Sequence, residues 1–323
     1  MSEILLSICI PTYNRANFLR SCLSAIMIQI TEDLPVEILI SDNCSPDNTQ
    51  DIIKFYSTCP KIRSFKQIEN IGPLKNILNL VKNHARGEFC WIIGDDDYIL
   101  NGGIRSVVKI LQEHNQIDFV YVKVQDFKFN DDSNPNEITM DAKFEIIPKF
   151  EILLQPKYSI IFVGELMAGI FRRSLWLGYD KIYEEIEHES LSTLATTYTH
   201  CVIYAHQFMG RKAIYVSTPI VNVDSRAREW WDKVGYVIIE HSFSLLELYK
   251  EKGLKGNLLR SCKRHYINIS MVYFLKFLFK KNESYSDRID YKRYLLSLLS
   301  YPFTTIKVIV LLIVDRYFSL SKN

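Results

Sequence analysis

Residues 91–100 read WIIGDDDYIL: an apolar run that ends at Gly94 and is followed by Asp95, Asp96 and Asp97. A short apolar run of this kind is typical of a buried strand. Three adjacent carboxylates repel one another, so a fold that places them at a strand end requires a positive charge nearby. The stretch therefore predicts a buried strand whose end carries a cluster of acidic groups together with a counter-charge.

Strand and helix signals alternate on both sides of this stretch. Short apolar runs predict the strands, which are 5–10, 36–40, 63–68, 89–93, 119–124 and 213–223. Apolar side chains at helical spacing predict helices between them, with start signals at Ser45–Pro46 and Gly72–Pro73. This alternation predicts an α/β fold with a mostly parallel, Rossmann-like sheet and helices on both faces.

Three polar stretches follow predicted strands: PTYNR at 11–15, SDNCSPDN at 41–48 and GDDDY at 94–98. In open parallel sheets, ligands bind beyond the carboxyl ends of the strands, so this topology brings the three stretches to one rim. Carboxylates at such a rim suit a hard divalent cation, Mn²⁺ or Mg²⁺, with a diphosphate supplying further oxygens. The alternative is a solvated acidic turn, which the convergence of three polar loops disfavours.

The composition argues against several classes of protein. With 48% apolar residues in 323, the chain can bury a large core, and its seven scattered cysteines include no CxxC pair, which favours reduced thiols. Neither GxGxxG nor GxxxxGK[ST] occurs, so dinucleotide-cofactor and P-loop proteins are disfavoured. The N-terminal MSEILLSICIP is interpreted as a first strand rather than a signal peptide.

Charge is spread unevenly along the chain. The net charge is +2, yet 250–323 hold 15 Lys and Arg against 5 Asp and Glu, whereas 1–249 hold 24 against 32. We therefore predict a catalytic domain at 1–249 and a basic, aromatic-rich helical region at 250–323. The longest apolar run there, Val308 to Val314, is too short to span a bilayer. A region lying on the membrane surface is favoured over a helical subdomain or oligomer interface, because charge and apolar content rise together.

Longer motifs point to a known family. ICIPTYNRANFLRSCL, ILISDNCSPDNTQDII and ENIGPLKNILNLVKNHARGEFCWIIGDDDYI, in this order and spacing, resemble family 2 glycosyltransferases with the GT-A fold. The resemblance covers residues 4–125 and continues more weakly through VGELMAGIFRRSLW and IYVSTPIVNVDSRAREWW. Its details are most similar to the bacterial branch that decorates O-antigen, lipooligosaccharide or capsule, including abequosyltransferase-like proteins.

This resemblance implies a function. A sugar would pass from a nucleotide-diphosphate donor, with UDP ahead of CDP or dTDP, to a hydroxyl of a glycan or lipid-linked acceptor. The family implies inversion and a divalent metal. The enzyme would be cytoplasmic and peripheral on the inner face of the bacterial plasma membrane, with a homo-oligomer possible.

Site residues are carried over from the family motif by motif. The implied nucleotide-sugar contacts are Pro11, Thr12, Tyr13, Asp42, Asn70, Lys75, Asp95 and Arg226. Among them, Asp42 would contact the base, Lys75 a phosphate, and Arg226 the diphosphate from a mobile loop that also holds Arg228. The implied metal ligands are Asp96 and Asp97. The family element N-x-G-x-x-x-N corresponds to Asn70, Gly72 and Asn76.

Two departures from the family pattern affect the chemistry. Gly94 stands at the first position of the usual Asp-x-Asp-Asp motif. Where the family often carries a Glu-Asp pair that supplies the catalytic base, this chain has Thr199 and His200. His200 is a candidate base because imidazole titrates near neutrality. Its rivals are the acidic residues shortly upstream, Asp180, Glu185, Glu187 and Glu189. The assigned catalytic residues are His200, Asp97 and Glu187.

Three other functions were weighed. A metal-dependent nucleotidyltransferase also uses paired carboxylates, but PTYNRANFL is not its glycine-rich, basic triphosphate loop. A nucleic-acid-binding protein would leave the acidic rim without a role, and no RRM, KH or helix-turn-helix pattern is present, so no nucleic-acid partner is expected. A catalytically impaired glycosyltransferase-like partner subunit remains open because the Glu-Asp pair is missing.

Overall fold

The structure is a computed structural model of the chain. It describes residues 4–126, 142–186, 191–224, 231–279 and 285–310. Within these ranges, nine strands form one sheet. The strands are β1 (Leu6–Thr12), β2 (Val36–Asp42), β3 (Ile62–Lys66), β4 (Phe89–Ile92), β5 (Asp97–Ile99), β6 (Phe119–Asp126), β7 (Phe144–Ile147), β8 (Gly169–Arg172) and β9 (Ala213–Val223).

Twelve α-helices surround the sheet in the described ranges. They are α1 (Ala16–Met27), α2 (Thr49–Tyr56), α3 (Pro73–Asn79), α4 (Gly103–Glu113), α5 (Arg173–Trp176), α6 (Ile182–Glu185), α7 (Leu194–Thr197), α8 (Thr199–Gln207), α9 (Val234–Tyr236), α10 (Ser242–Glu251), α11 (Gly256–Phe279) and α12 (Tyr291–Leu299). Helical residues 302–310 follow α12. A π-helical turn, Leu80–His84, extends α3, and another, Val237–His241, joins α9 to α10.

The strand order is β3-β2-β1-β4-β8-β6-β9-β5, with β7 also pairing with β9. Strands β3, β2, β1 and β4 run parallel. Beyond them, β8 is antiparallel to both β4 and β6, so the sheet is mixed. The predicted α/β architecture is confirmed, and the predicted parallel order holds for the half of the sheet that carries the three polar loops.

Burial explains why these segments form the centre of the sheet. All seven residues of β2 are buried, as expected for a strand covered on both faces. The apolar face of α1 packs on this core through Leu19, Cys22, Leu23 and Ile26. The predicted start of α2 was wrong: the helix begins at Thr49 with Asn48 as its N-cap residue, because Ser45 instead donates its N–H to Asp42 Oδ1 and stays in the turn.

The C-terminal helices pack on the same apolar core as the sheet. Tyr266 of α11 donates its hydroxyl to the carbonyl of Ile239 at 2.7 Å, and Cys262 lies 3.4 Å from the carbonyl of Leu154. The proposed boundary at 249/250 falls inside α10. In the part of the chain described here, no helix combines the length and the apolar character needed to cross a membrane.

Candidate active site

The ends of β1 and β2 meet at one rim of the sheet. Asn43 donates its N–H to the carbonyl of Thr12 at 2.9 Å, and Asn14 donates its N–H to Ser45 Oγ at 2.8 Å. Both turns contain a non-glycine residue with positive φ, Asn14 at 57° and Cys44 at 67°. Such conformations are uncommon and collect at functional sites, where surrounding contacts hold them in place.

The end of β4 joins this rim through ion pairs. Arg15 donates from Nη1 to Asp95 Oδ1 at 2.9 Å and to Asp96 Oδ2 at 3.1 Å. Thr12 donates its hydroxyl to Asp95 Oδ2 at 2.7 Å. Arg15 is therefore the counter-charge that three adjacent aspartates require, and it comes from the loop after β1.

Gly94 shapes the turn that presents the aspartates. Its N–H donates to Asp97 Oδ2 at 3.1 Å, and the Asp97 N–H donates back to its carbonyl at the same distance. A Cβ placed on Gly94 would lie 2.7 Å from Asp96 Oδ1 and 2.8 Å from Asp97 Oδ2. A larger residue at this position would therefore require the carboxylates of Asp96 and Asp97 to shift.

Burial disfavours ionisation of the carboxylates at the rim. Burial raises the pKa of Asp95 to about 6, even though Thr12 and Arg15 act in the opposite direction. Burial also raises the pKa of Asp97 well above its usual range and that of Asp96 more moderately. Asp224, buried just after β9, adds a further negative charge that acts on Asp96.

A divalent cation fits this charge pattern. Within the described ranges, no group of three His, Cys, Asp or Glu side chains is arranged to hold a metal ion by itself. Mg²⁺, however, is usually held by one or two carboxylates plus substrate phosphates. Asp96 is the best placed, because its side chain is 19% exposed against 5% for Asp95, while Asp97 is buried and bonded to Gly94.

Four other residues were expected to contact the nucleotide, and they differ in exposure. Tyr13 is 41% exposed, and Lys75 is exposed on α3. Asp42 is fully buried and accepts bonds from the Ser45 N–H and the Gln50 side chain, so it braces the turn after β2. Pro11 is half-buried at the end of β1.

Asn70 connects the turn after β2 to the start of α3. Its Oδ1 accepts from Asn43 Nδ2 at 2.8 Å and from the Gly72 N–H at 2.9 Å. Asn76 in α3 accepts the Ser41 hydroxyl at 2.6 Å. The N-x-G-x-x-x-N element therefore holds the second rim loop against α3.

The candidate base His200 lies at the start of α8. It is buried, its Nε2 is 3.0 Å from the carbonyl of Gly164, and burial lowers its pKa to about 4. The imidazole is therefore neutral near pH 7 and binds a proton weakly. His200 lines a cavity of about 790 Å³ that also receives Glu165 and Val223.

Several expected site residues lie outside the described residues. They are Glu187, Glu189, Arg226 and Arg228. Sequence reasoning also missed three residues that the structure brings to the site: Arg15, Asp224 and Glu165. Asp224 directly follows a predicted strand, so the strand-end rule applied to β9 would have found it. Glu165 lies within VGELMAGIFRRSLW, a weaker part of the family resemblance that gave it no role.

The comparisons agree with this architecture. A family model described as "Glycosyl transferase family 2" matches residues 7–177. Abequosyltransferase RfbV of Salmonella typhimurium is 29% identical over 229 residues, which cover 68% of this chain and 66% of that protein. TarS of Staphylococcus aureus is 25% identical over 119 residues, 37% of this chain and 21% of that protein.

Solved structures support the same fold. TarS 1–349 in complex with UDP-GlcNAc has a TM-score of 0.56 at 18% identity, covering 93% of this chain and 81% of that one. Mannosyltransferase PcManGT from Pyrobaculum calidifontis, in complex with GDP-Man and Mn²⁺, has a TM-score of 0.53 at 13% identity, covering 98% and 80%. These similarities show an α/β GT-A fold. Because the family model matches more than half of this chain, the chain belongs to glycosyl transferase family 2.

Proposed function

We propose that this protein transfers a sugar from a nucleoside-diphosphate donor to a hydroxyl of a glycan or lipid-linked acceptor in bacterial surface-polysaccharide synthesis. The observation that carries the proposal is the buried acidic rim, where Arg15 pairs with both Asp95 and Asp96 beside the loops after β1 and β2. Burial disfavours the ionised form of a carboxylate, so ionisation of the rim requires positive charge nearby. A metal-bound diphosphate would meet that requirement beside the loops proposed for the nucleoside.

The relatives support the choice of substrate class. RfbV is an abequosyltransferase, and TarS and PcManGT were solved with UDP-GlcNAc and with GDP-Man and Mn²⁺. For this chain we propose a pyrimidine nucleotide, UDP before CDP or dTDP. Tyr13, Lys75 and, outside the described residues, Arg226 are the proposed contacts with the donor. Pro11, Thr12, Asp42 and Asn70 shape the loops that would receive it.

The proposed mechanism assigns each group a task. Asp96, with Asp97 or Asp224, would hold Mn²⁺ or Mg²⁺, and the ion would supply positive charge near the leaving diphosphate. Arg15 orients Asp95 and Asp96 through its two ion pairs. A base removes the proton of the acceptor hydroxyl as its oxygen attacks the anomeric carbon. Attack from the face opposite the diphosphate inverts that carbon.

A donor panel tests this function. The protein is incubated with Mn²⁺ and UDP-, CDP- and dTDP-sugars, and the release of nucleoside diphosphate is measured. We expect turnover of one donor class that EDTA abolishes and Mn²⁺ restores. Release of pyrophosphate from nucleoside triphosphates would favour a nucleotidyltransferase. Binding of nucleotides without turnover would favour a catalytically impaired partner subunit.

We also propose peripheral contact with the inner face of the plasma membrane. On α12 and residues 302–310, Leu299 is 72% exposed, Phe303 86% and Ile306 59%. Lys292 and Lys307 are exposed on the same two helices. Apolar side chains flanked by cations suit an anionic lipid surface, which would place the enzyme near a lipid-linked acceptor.

A further inference from the structure

The cavity beside His200 has no role yet in the proposed function, because the loops proposed to bind the nucleotide lie elsewhere on the rim. Its volume of about 790 Å³ is lined mainly by apolar side chains from α3, the sheet and α11. Val223 lines it and pairs in register with Asp97, so the cavity adjoins the acidic rim. Ile269 and Val272 of α11 form part of its wall, outside the residues matched by the family model.

Among the described residues that line this cavity, Glu165 is the carboxylate. The Ile160 N–H donates to its Oε1 at 2.9 Å, and the Ser159 hydroxyl donates to its Oε2 at 3.0 Å. The Tyr121 hydroxyl also donates to Oε2. An ionised carboxylate offers about four acceptor positions, so three bonds orient the group and leave capacity for one more donor.

The loop before Glu165 has an uncommon backbone. Phe162 and Val163 have positive φ values of 51° and 65°, and the Val163 N–H donates to Ser159 Oγ at 2.6 Å. A β-branched residue rarely adopts this conformation, which persists only where surrounding contacts fix it and which collects at functional sites. Ser159 thus supports both the strained loop and the carboxylate that follows it.

Glu165 lies beside the position first assigned to the base. His200 contacts the carbonyl of Gly164, the residue that precedes Glu165. Burial holds the pKa of His200 at about 4, and its Nε2 already has a partner. Burial and the Glu165 charge raise the pKa of Tyr121 well above its usual range, so this hydroxyl stays protonated and continues to donate.

We propose that Glu165 is the catalytic base that deprotonates the acceptor hydroxyl, an inference that rests on the proposed function. The proton moves from the hydroxyl to a carboxylate oxygen of Glu165, and the hydroxyl oxygen forms a bond to the anomeric carbon. The bond from that carbon to the diphosphate breaks, and its electron pair leaves with the diphosphate. His200 then helps to position the loop through Gly164.

The test uses the full chain with water as the acceptor, measured as Mn²⁺-dependent hydrolysis of the donor found in the panel. Glu165→Gln should lower kcat by about 10²- to 10⁴-fold, the usual contribution of a general base. KM for the donor and the binding of UDP with Mn²⁺ should stay within about twofold of wild type, because the rim is intact. Sodium formate should restore part of the activity of Glu165→Ala, since it supplies a carboxylate to the emptied position.

Three controls separate chemistry from folding. Glu145→Gln, a matched change at an exposed surface position, should keep wild-type kcat. Ser159→Ala removes a hydrogen bond that supports the loop but keeps the Glu165 carboxylate. If it lowers kcat as much as Glu165→Gln does, the role of Glu165 is structural. His200→Asn tests the rival base directly. A thermal unfolding midpoint close to wild type would show that each variant is folded.

The outcomes distinguish the two proposals. If Glu165→Gln keeps the wild-type kcat, Glu165 is not the base. The same follows if His200→Asn is the one variant that loses activity. Either result leaves the proposed function standing. Folded Glu165→Ala that formate does not rescue also overturns it. A wild-type protein that neither binds UDP with Mn²⁺ nor hydrolyses any donor overturns the proposed function, and the base assignment with it.

Discussion

Three adjacent aspartates occupy three different environments at the rim. Asp95 is fixed by Thr12 and Arg15, and Asp97 accepts the Gly94 N–H. Asp96 shares Arg15 but is the most exposed of the three side chains. Asp96 is therefore the rim carboxylate that is most accessible to a metal ion.

We predict that Asp96→Asn weakens the binding of Mn²⁺ and the donor by about 10- to 100-fold, the range seen when groups that tune a metal site are lost. The measurement is the Mn²⁺-dependent rise in thermal unfolding midpoint in the presence of UDP. Asp33→Asn is the matched control, since Asp33 is exposed and pairs with Arg105 away from the rim. An unchanged Mn²⁺ response in Asp96→Asn would contradict the metal assignment.

His200 makes stability depend on pH. Its pKa is about 4 in the folded chain, below the ordinary value of about 6.5, so the unfolded state binds a proton that the folded state does not. Stability from His200 is therefore complete above pH 6.5 and is lost as the pH falls toward 4. The full shift corresponds to roughly 3 kcal/mol.

We predict that wild type loses unfolding free energy relative to His200→Gln between pH 7 and pH 4. Comparing variants removes the opposing contribution of Asp95, whose raised pKa favours the folded state on acidification. Urea unfolding at four pH values measures the difference, with His114→Gln at a partly exposed position as control. Parallel curves for wild type and His200→Gln would show that His200 is not buried in its neutral form.

At the scale of elements, α12 and the helical residues 302–310 leave several apolar side chains exposed. Tyr294 and Leu298 of α12 are buried, whereas Leu299, Phe303 and Ile306 are exposed. One face thus packs on the protein while the other presents apolar side chains beside lysines. The proposed membrane contact would bury these exposed apolar side chains at the headgroup boundary.

We predict that Phe303→Ser weakens binding to vesicles containing phosphatidylglycerol by about tenfold or more, because a buried aromatic side chain contributes about 1.5–3 kcal/mol. Phe55→Ser is the matched control, since Phe55 is 72% exposed on α2, far along the chain from these helices. Co-sedimentation at low and high salt measures the effect. Equal binding by both variants would reject this face as the contact surface.

For the whole molecule, the catalytic and C-terminal regions share one core. Met271 and Phe274 of α11 are buried with the apolar residues of the sheet, and Ile269 lines the cavity. The division into a catalytic domain at 1–249 and a basic C-terminal region at 250–323 stays a proposal, based on the charge of each region. Since the apolar contacts are continuous, the two regions should unfold together.

We predict a single calorimetric transition for the full chain, raised as a whole by UDP with Mn²⁺. Ligand binding to the folded state stabilises every part that unfolds cooperatively with the site. Differential scanning calorimetry with and without these ligands measures it. Two transitions, of which only one responds to the ligands, would instead show that 250–323 form an independent unit.

The sequence by itself determined the alternation of strands and helices, the parallel order of the first strands and the gathering of PTYNR, SDN and GDDD at one rim. These follow from hydrophobic periodicity and strand direction, which local sequence records. It also identified the family, because several motifs agree at once. The prediction that α2 begins at Ser45 was wrong because the Ser45 N–H donates to the Asp42 side chain and holds Ser45 in the turn.

Only the tertiary structure decided how the charges are paired. Arg15 and Asp95 are 80 residues apart, and Tyr121 and Glu165 are 44 apart, so no local pattern relates them. Which aspartate is exposed and which carboxylate enters the cavity both depend on contacts between distant segments. Burial and hydrogen bonding set the chemistry of an acidic group, and both exist only once the chain has folded.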